Sequence, residues 1–139
     1  SDPPWRNRVW SMGVDLIREM FEQMVLKKDP DLIERFYSPD FEMHSNGVVQ
    51  GFEEFAAAHR RVYATDISYE VEYDEDAWVE QEGRVAGRVW ITTKLPGREA
   101  TRIEVILIAR IEDDRITRIW ETTWPDWQNL REMERYEAP

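Results

Sequence analysis

The chain has 139 residues, with 18 Lys plus Arg against 29 Asp plus Glu and no cysteine. A chain of this length is expected to form one domain around one hydrophobic core. The lack of cysteine excludes a thiolate nucleophile and a cysteine-ligated metal site. The formal net charge of -11 disfavours nucleic acids and anionic membranes as partners, because a negative surface repels phosphate groups.

The sequence also gives no sign of a membrane segment. No apolar run reaches the roughly 18 residues that a spanning helix needs. The first residues lack the basic segment followed by an apolar stretch that marks a secretory signal. We therefore expect a cytoplasmic protein that does not bind membranes.

The first predicted element is a long helix. From Trp10 onward, apolar residues recur at spacings of three and four, a pattern typical of one buried helical stripe. Its members include Val14, Ile17, Phe21 and Met24. The helix is expected to begin near residues 3–4, where two prolines favour a helix start.

Two shorter helices are predicted to follow. The Asp-Pro-Asp sequence at 29–31 offers an N-cap with proline at the first helical position, which predicts a short helix over 32–37. A short strand is expected over 41–45. Beyond it, the apolar stripe that includes Phe52, Phe55 and Val62 predicts a third helix. The three helices together occupy about 4–64.

The second half of the chain predicts a sheet. Between Ile67 and Tyr73, apolar and polar residues alternate with a period of two, which indicates a strand with one wet face. Turn signals divide the rest into strands over 84–95, 99–111 and 115–124. Short connections favour an antiparallel meander over about 67–125. The tail, 126–139, is expected to form a short helix or to fray.

One strand suggests a contact between subunits. The segment 105–109 is apolar at every position, so both of its faces should be covered. Trp120 and Trp124 are expected on the face away from the helices, where aromatic area favours subunit contact. The sequence therefore predicts a homodimer through the convex face of the sheet.

This order of elements is an α+β layout, with three N-terminal helices packed on the concave face of a curved, mainly antiparallel sheet and a pocket inside the cone. The segments 36–44 (Phe-Tyr-Ser-Pro-Asp-Phe-Glu-Met-His), 51–55 and 116–121 (Ile-Thr-Arg-Ile-Trp-Glu) resemble the SnoaL-like proteins of the nuclear-transport-factor-two-like superfamily. The resemblance implies a single SnoaL-like domain over 1–139.

The resemblance also implies candidate catalytic residues. SnoaL-like cyclases and the related limonene epoxide hydrolases use cavity acids on the last strand, a position that Glu121 matches. Arg88 resembles the arginine of the hydrolases, but Trp90 stands where they have a second acid. The first-strand Tyr-x-Asn of the hydrolases falls on Met43 and Ser45, or on His44 and Asn46 if the register slips by one residue. The acid-arginine-acid relay of the hydrolases is thus incomplete here.

The chemistry of Glu121 depends on its neighbours. Burial raises the pKa of a carboxyl group, whereas an adjacent cation lowers it. With Arg88 beside it, Glu121 would stay ionised and act as a base or an anchor. Without Arg88, it could keep its proton and act as an acid. The structural alternative is an ordinary cross-strand ion pair of Arg88 and Glu121 on the solvent face.

The chain has two histidines, which differ in expected role. His44 lies on the short strand that should border the pocket, so it is the candidate for proton transfer. Its alternative is an outward side chain bonded to a loop. His59 lies on the inner stripe of the third helix and is expected to be a partly buried wall residue. No pair of possible ligands has metal-site spacing, so no metal and no cofactor are expected.

The expected pocket wall is aromatic. Trp90 has the same strand parity as Arg88, so both are predicted to enter the pocket together. The other substrate-binding candidates are Phe21, Phe55, His59 and Tyr63. The pattern favours a cofactor-independent enzyme that transfers protons on an apolar cyclic or polyketide-type molecule, with Glu121, His44 and Arg88 as its catalytic residues. The alternatives are an epoxide-hydrolase-like hydrolase or dehydratase, and a non-catalytic ligand-binding or dimerisation module.

Overall fold

The computed structural model describes residues 12–130. Helix α1 spans Met12–Met20 and continues as a π-helical turn over Phe21–Val25. The later helical elements are a 3-10 turn at Pro30–Leu32, α2 (Ile33–Phe36), α3 (Phe52–Tyr63) and a 3-10 turn at Trp127–Asn129. The strands are β1 (Tyr37–Ser45), β2 (Val48–Gly51), β3 (Ser68–Tyr73), β4 (Val79–Gln81), β5 (Arg84–Lys94), β6 (Thr101–Glu112) and β7 (Arg115–Trp124).

The predicted stripe of α1 is confirmed. Val14, Ile17, Phe21 and Met24 are all buried in the core. The Glu80 carboxylate accepts hydrogen bonds from the backbone N–H groups of Gly13 and Val14, at 3.2 and 2.9 Å. A carboxylate near the N-terminal end of a helix is also stabilising, because that end carries the positive pole of the helix dipole. The expected start near residues 3–4, and Trp10 with it, lie outside the described residues.

The shorter helices also form where the pattern predicted them. Asp29 caps the turn that leads into α2 by accepting a hydrogen bond from the Asp31 backbone N–H at 3.0 Å. Helix α3 buries Phe55, Val62 and Tyr63. It packs against β1, so its buried side lies over the sheet.

The strands form one curved sheet in the order β2-β1-β7-β6-β5-β3, with β4 paired to β5. All pairs are antiparallel except β1 with β7. The three long predicted strands are confirmed as β5, β6 and β7. Strands β2 and β4 were not predicted, because runs of three or four residues give too little alternation. Strand β1 begins before its predicted start, and its pairing with β7 shifts register between Tyr37 and Glu42.

The sheet has two chemically different faces. We call the face under the helices the concave face and the opposite one the convex face. On β6, Val105, Leu107 and Ala109 are buried on the concave face. Ile106 and Ile108 point the other way and remain 51% and 46% exposed. The architecture is thus the predicted α+β cone.

The end of the described chain is short. The 3-10 turn at Trp127–Asn129 is the only helical element described after β7, and residues 131–139 of the predicted tail lie outside the described range. Within residues 12–130, the helices do not reach the length and apolar character needed to cross a membrane.

Candidate active site

A cavity lies between the helices and the concave face of the sheet. Its volume is about 150 Å³. Apolar and aromatic side chains from α1, α3 and the long strands form most of its wall. Its polar side chains, apart from the tyrosine hydroxyls and the Trp127 indole, are Ser45, Gln50, His59, Glu121 and Thr123. An apolar cavity with a few polar groups is typical of a small-molecule site.

Strand parity brings Glu121 into this cavity. Side chains alternate between the two faces of a strand, and Ile119, Glu121 and Thr123 of β7 all line the cavity. Trp120 and Trp124 have the opposite parity and lie on the convex face, as predicted. Trp124 is 74% exposed.

Glu121 is held by a short chain of hydrogen bonds. The Ser45 hydroxyl donates to Glu121 Oε2 at 2.8 Å. The Trp127 indole N–H donates to Ser45 Oγ at 2.8 Å. Ser45 reaches the acid because β1 runs parallel to β7 with Ser45 and Glu121 in register. The acid is therefore oriented from the neighbouring strand and from the segment that follows its own strand.

The surroundings of Glu121 favour its neutral form. Burial raises the pKa of Glu121, and the hydrogen bond from Ser45 opposes that change only in part. Among the described residues, no Lys or Arg lines the cavity. The carboxyl group therefore binds a proton more readily than a surface glutamate, as expected for a proton carrier.

A row of aromatic rings forms the wall beside the acid. Phe55 packs against Tyr37 with ring centroids 4.7 Å apart and against His59 at 4.1 Å. The row continues from His59 to Tyr63 at 5.6 Å and from Tyr63 to Tyr69 at 6.2 Å. Burial raises the pKa of Tyr37, and the nearby Glu121 charge adds to that effect. Tyr37 therefore stays protonated and presents a neutral hydroxyl.

His59 is a neutral member of this wall. Its Nδ1 lies 2.8 Å from the Phe55 carbonyl oxygen, so Nδ1 carries the proton and donates. Burial lowers the pKa of His59 to about 4, although this hydrogen bond raises it in part. The lone pair of the neutral ring is then on Nε2. This agrees with the prediction of a partly buried wall histidine.

The Tyr63 hydroxyl is a buried polar group of the cavity wall. The residue lines the cavity and is 7% exposed. Within the described part of the chain, its oxygen makes no hydrogen bond. Burial raises the pKa of Tyr63 well above its ordinary value. A buried hydroxyl that stays unpaired costs free energy.

Two of the expected cavity residues, Arg88 and Trp90, lie elsewhere. Arg88 donates to Glu104 Oε2 from Nε at 2.9 Å and forms an ion pair with Asp74 at 3.1 Å. Its guanidinium lies 4.5 Å from the centroid of the Trp90 ring. The predicted placement is wrong. Val89 and Ile91 of β5 face the concave side, so Arg88 and Trp90, which alternate with them along the strand, lie on the convex face.

The placement of His44 in the pocket is also wrong. Met43 and Ser45, its neighbours on β1, line the cavity, so His44 points to the convex face. Its Nε2 lies 3.0 Å from Glu42 Oε1, and Arg118 contacts the same oxygen at 2.9 Å. His44 thus points outward, as in the alternative interpretation, but its partner is Glu42 of the same strand and not a loop.

The structure therefore brings together part of the predicted site. Phe21, Phe55, His59, Tyr63 and Glu121 all line the cavity. Sequence reasoning assigned no role to Ser45, Trp127 and Tyr37. Parallel pairing of β1 with β7 would have pointed to Ser45, since it aligns directly with Glu121.

The donors around this acid do not form a metal site in the part of the chain that the structure describes. In that range, 12–130, no group of three His, Asp or Glu side chains is placed to hold a metal ion. The polar groups that the described cavity wall offers are one carboxyl group, neutral hydroxyls, one neutral imidazole, the Gln50 amide and the Trp127 indole.

Comparison with solved structures shows the same fold. The LEH-like epoxide hydrolase from M. tuberculosis matches with a TM-score of 0.68 and 15% identity, over 80% of this chain and 81% of that one. TsrD from Streptomyces laurentii matches with a TM-score of 0.66 and 18% identity, over 95% and 100%. IdmH from Streptomyces antibioticus, a proposed polyketide cyclase, matches with a TM-score of 0.63 and 16% identity, over 92% and 100%.

Sequence comparison identifies the family. No curated protein matches the chain, and at these low identities the solved structures establish the fold alone. The family model described as SnoaL-like domain matches residues 17–119. That range runs from the middle of α1 to β7 and includes most of the cavity wall. The chain belongs to the SnoaL-like domain family.

Proposed function

We propose that this protein is a cofactor-independent enzyme that transfers protons on a small, apolar, ring-forming or ring-containing molecule. One observation carries the proposal: among the described residues, Glu121 is the single carboxyl group of an apolar cavity, and it is hydrogen-bonded by Ser45. A raised carboxyl pKa brings proton uptake and release closer to neutral pH, where a general acid or base works best.

The chemistry is that of a cyclase. The Glu121 carboxylate takes a proton from a carbon next to a carbonyl group, and the enolate attacks a second carbonyl of the same molecule. Protonated Glu121 then returns the proton to the new alkoxide, so no external acid is needed. The protonated tyrosines of the wall offer neutral donors to the developing negative charge.

Cavity size and charge limit the ligand. A volume of about 150 Å³ is enough for a benzene-sized ring. The apolar wall and the net charge of -11 oppose sugar phosphates and nucleotides. We therefore propose a one-ring product with one or two polar oxygens, bound against Phe21, Phe55 and Tyr63.

Arg88, Trp90 and His44 have no part in this proposal, because they lie on the convex face. Their position also weakens the epoxide-hydrolase alternative, which needs an arginine beside the cavity acid. A hydrolase or dehydratase that works through Glu121 alone, and a non-catalytic binding module, are the competing functions for the same cavity.

Ligand class is tested by thermal shift. Phenol and small cyclic diketones should raise the melting temperature, while ATP and glucose 6-phosphate should leave it unchanged. Phe55→Ala should abolish the shift, and Trp90→Phe, on the convex face, should retain it. Stabilisation by ATP alone would contradict the proposed ligand class.

Catalysis is tested at Glu121. With a linear diketone that can close to a ring, Glu121→Gln should reduce turnover about 100-fold or more, since the amide cannot carry the proton. Glu104→Gln is the matched control, because this acid lies on the convex face against Arg88. Ligand binding without turnover in the wild type would favour the binding module.

We also propose that two copies pair through the convex face. Ile106, Ile108 and Trp124 are exposed there, among ion pairs such as Arg88 with Glu104 that balance the local charge. Balanced charge lets two copies approach although each carries a large net negative charge. Sedimentation should give a dimer at micromolar concentration and a monomer for Ile106→Asp. A wild-type monomer would exclude this assembly.

A further inference from the structure

The segment that follows β7 is fixed to the β1–β2 turn. Asn46 Nδ2 donates to Thr123 Oγ1 at 2.7 Å and to Asp126 Oδ1 at 3.2 Å. Gln128 Nε2 donates to the Asn46 carbonyl oxygen at 3.3 Å. These bonds hold the 3-10 turn at Trp127–Asn129 beside the cavity, where the Trp127 side chain forms part of the wall.

Two hydrogen bonds connect Trp127 to Glu121 through the Ser45 hydroxyl, and both have a fixed direction. An indole N–H is a donor only, so Ser45 Oγ must accept from it. The hydroxyl proton of Ser45 is then directed to its other partner, Glu121 Oε2, at 2.8 Å. The second oxygen of Glu121 has no hydrogen-bond partner within residues 12–130, so it is the oxygen left for a ligand.

We propose that Trp127 is a positioning residue, which directs the Ser45 hydroxyl onto Oε2 of Glu121 and so sets both the proton affinity of the acid and the oxygen that faces the ligand. The proposal rests on the proposed function for its catalytic meaning, but the hydrogen-bond relay itself can be tested without a substrate.

The relay opposes the effect of burial on Glu121. Burial raises the pKa of the carboxyl group, and the bond from Ser45 lowers it. If Trp127 no longer occupies Ser45 Oγ, the hydroxyl is free to turn to other acceptors, and Glu121 loses part of this bond. The other titratable groups that line the described cavity are Tyr37, His59, Tyr63 and Tyr69, and none of them is a cation that could replace it.

The test is an NMR titration of the Glu121 carboxyl carbon in protein labelled with carbon-13 glutamate. The resonance is assigned by its absence in Glu121→Gln. Trp127→Phe, which keeps an aromatic ring but removes the N–H, should raise the measured pKa of Glu121. Trp124→Phe is the matched control, since that tryptophan of β7 is exposed on the convex face, away from the cavity that Ser45 lines. It should leave the titration unchanged.

A double-mutant cycle separates the relay from a general loosening of the cavity. Ser45→Ala should raise the pKa of Glu121 more than Trp127→Phe does. Adding Trp127→Phe to Ser45→Ala should change nothing further, because the proposed relay from Trp127 reaches Glu121 through the Ser45 hydroxyl. A shift of equal size in both backgrounds would overturn the proposal.

A second substitution keeps the test decisive if Trp127→Phe fails to fold. Replacing Trp127 with its benzothiophene analogue retains the bicyclic aromatic shape and puts a sulfur atom in place of the N–H donor. An unchanged Glu121 titration in that protein would also overturn the proposal. Loss of turnover in Glu121→Gln reports on the proposed function, whereas the titration reports on the relay, so the two can fail separately.

Discussion

The concave and convex faces of the sheet use the same strands for opposite purposes. On the concave face, Glu121 lies in an apolar cavity whose described wall contains no Lys or Arg. On the convex face, Glu104 receives two N–H groups of Arg88, whose guanidinium also packs on Trp90. The two acids lie on adjacent strands. Glu121 remains able to exchange a proton, whereas the charge of Glu104 is balanced by Arg88. Side-chain alternation, and not residue type, decides which acid can do chemistry.

Removing an aromatic ring from each face should give the largest difference. Phe55 is 1% exposed and packs against Tyr37, Phe41 and His59, so Phe55→Ala should cost about 3 to 5 kcal/mol of unfolding free energy. Trp90→Ala removes mainly the stacking of Arg88 and Arg102 on its ring, worth about 0.5 to 1 kcal/mol each at a partly exposed site. Urea unfolding measures both values. Equal losses would contradict the division of the sheet into a core face and a partly exposed convex face.

The histidines give the next largest contrast, through pH. The folded-state pKa of His59 is about 4 against a usual 6.5, so between these values the unfolded chain binds more protons and stability falls as pH falls. The loss is complete near pH 4 and amounts to roughly 3 kcal/mol. His59→Phe should remove this loss, measured as the difference from wild type. His44→Gln, on the convex face, should retain it, and the reverse pattern would contradict the burial of His59.

The fold could be predicted because long amphipathic patterns identify its main elements. The apolar stripe from Val14 to Met24 runs over several turns of α1 and the π-helical turn that follows it. The alternation of apolar and polar residues in β5 to β7 likewise continues over many residues. The short strands β2 and β4 could not be predicted in this way, since they contain too few residues to show a period. The register shift between Tyr37 and Glu42 depends on pairing with β7, a tertiary contact that no local pattern encodes.

The site was only half predictable for the same reason. Glu121 and Phe55 follow from strand parity and from a helical stripe. Arg88 was misplaced because parity tells which residues share a face but not which face is covered. Ser45 needed the parallel register of β1 with β7, and Trp127 needed the path of the chain after the last strand. Both depend on contacts between residues that are far apart in the sequence.

Replacing each acid by glutamine should change the free energy of unfolding in opposite directions. Burial without a cation raises the pKa of Glu121, so the folded state favours the neutral form, and stability is lost as pH rises above the unfolded value. Glu121→Gln should therefore increase the free energy of unfolding at pH 8 and have little effect near pH 4. Glu104→Gln should reduce it by up to about 1 kcal/mol, the value of a partly exposed ion pair. Destabilisation by both variants would show that Glu121 has a cationic partner.

The smallest expected effect compares two tyrosine hydroxyls. The Tyr73 hydroxyl donates to Glu22 Oε1 at 2.8 Å, so Tyr73→Phe should cost about 0.5 to 1.5 kcal/mol. The Tyr63 hydroxyl is buried and has no hydrogen-bond partner in the described range. Tyr63→Phe should therefore leave the free energy of unfolding unchanged or raise it, because it removes an unpaired polar group while the ring stays in place. Urea unfolding of the two variants in parallel gives the comparison. A loss at Tyr63 as large as that at Tyr73 would mean that its hydroxyl is satisfied in solution, and the cavity wall would then be more polar than its residues indicate.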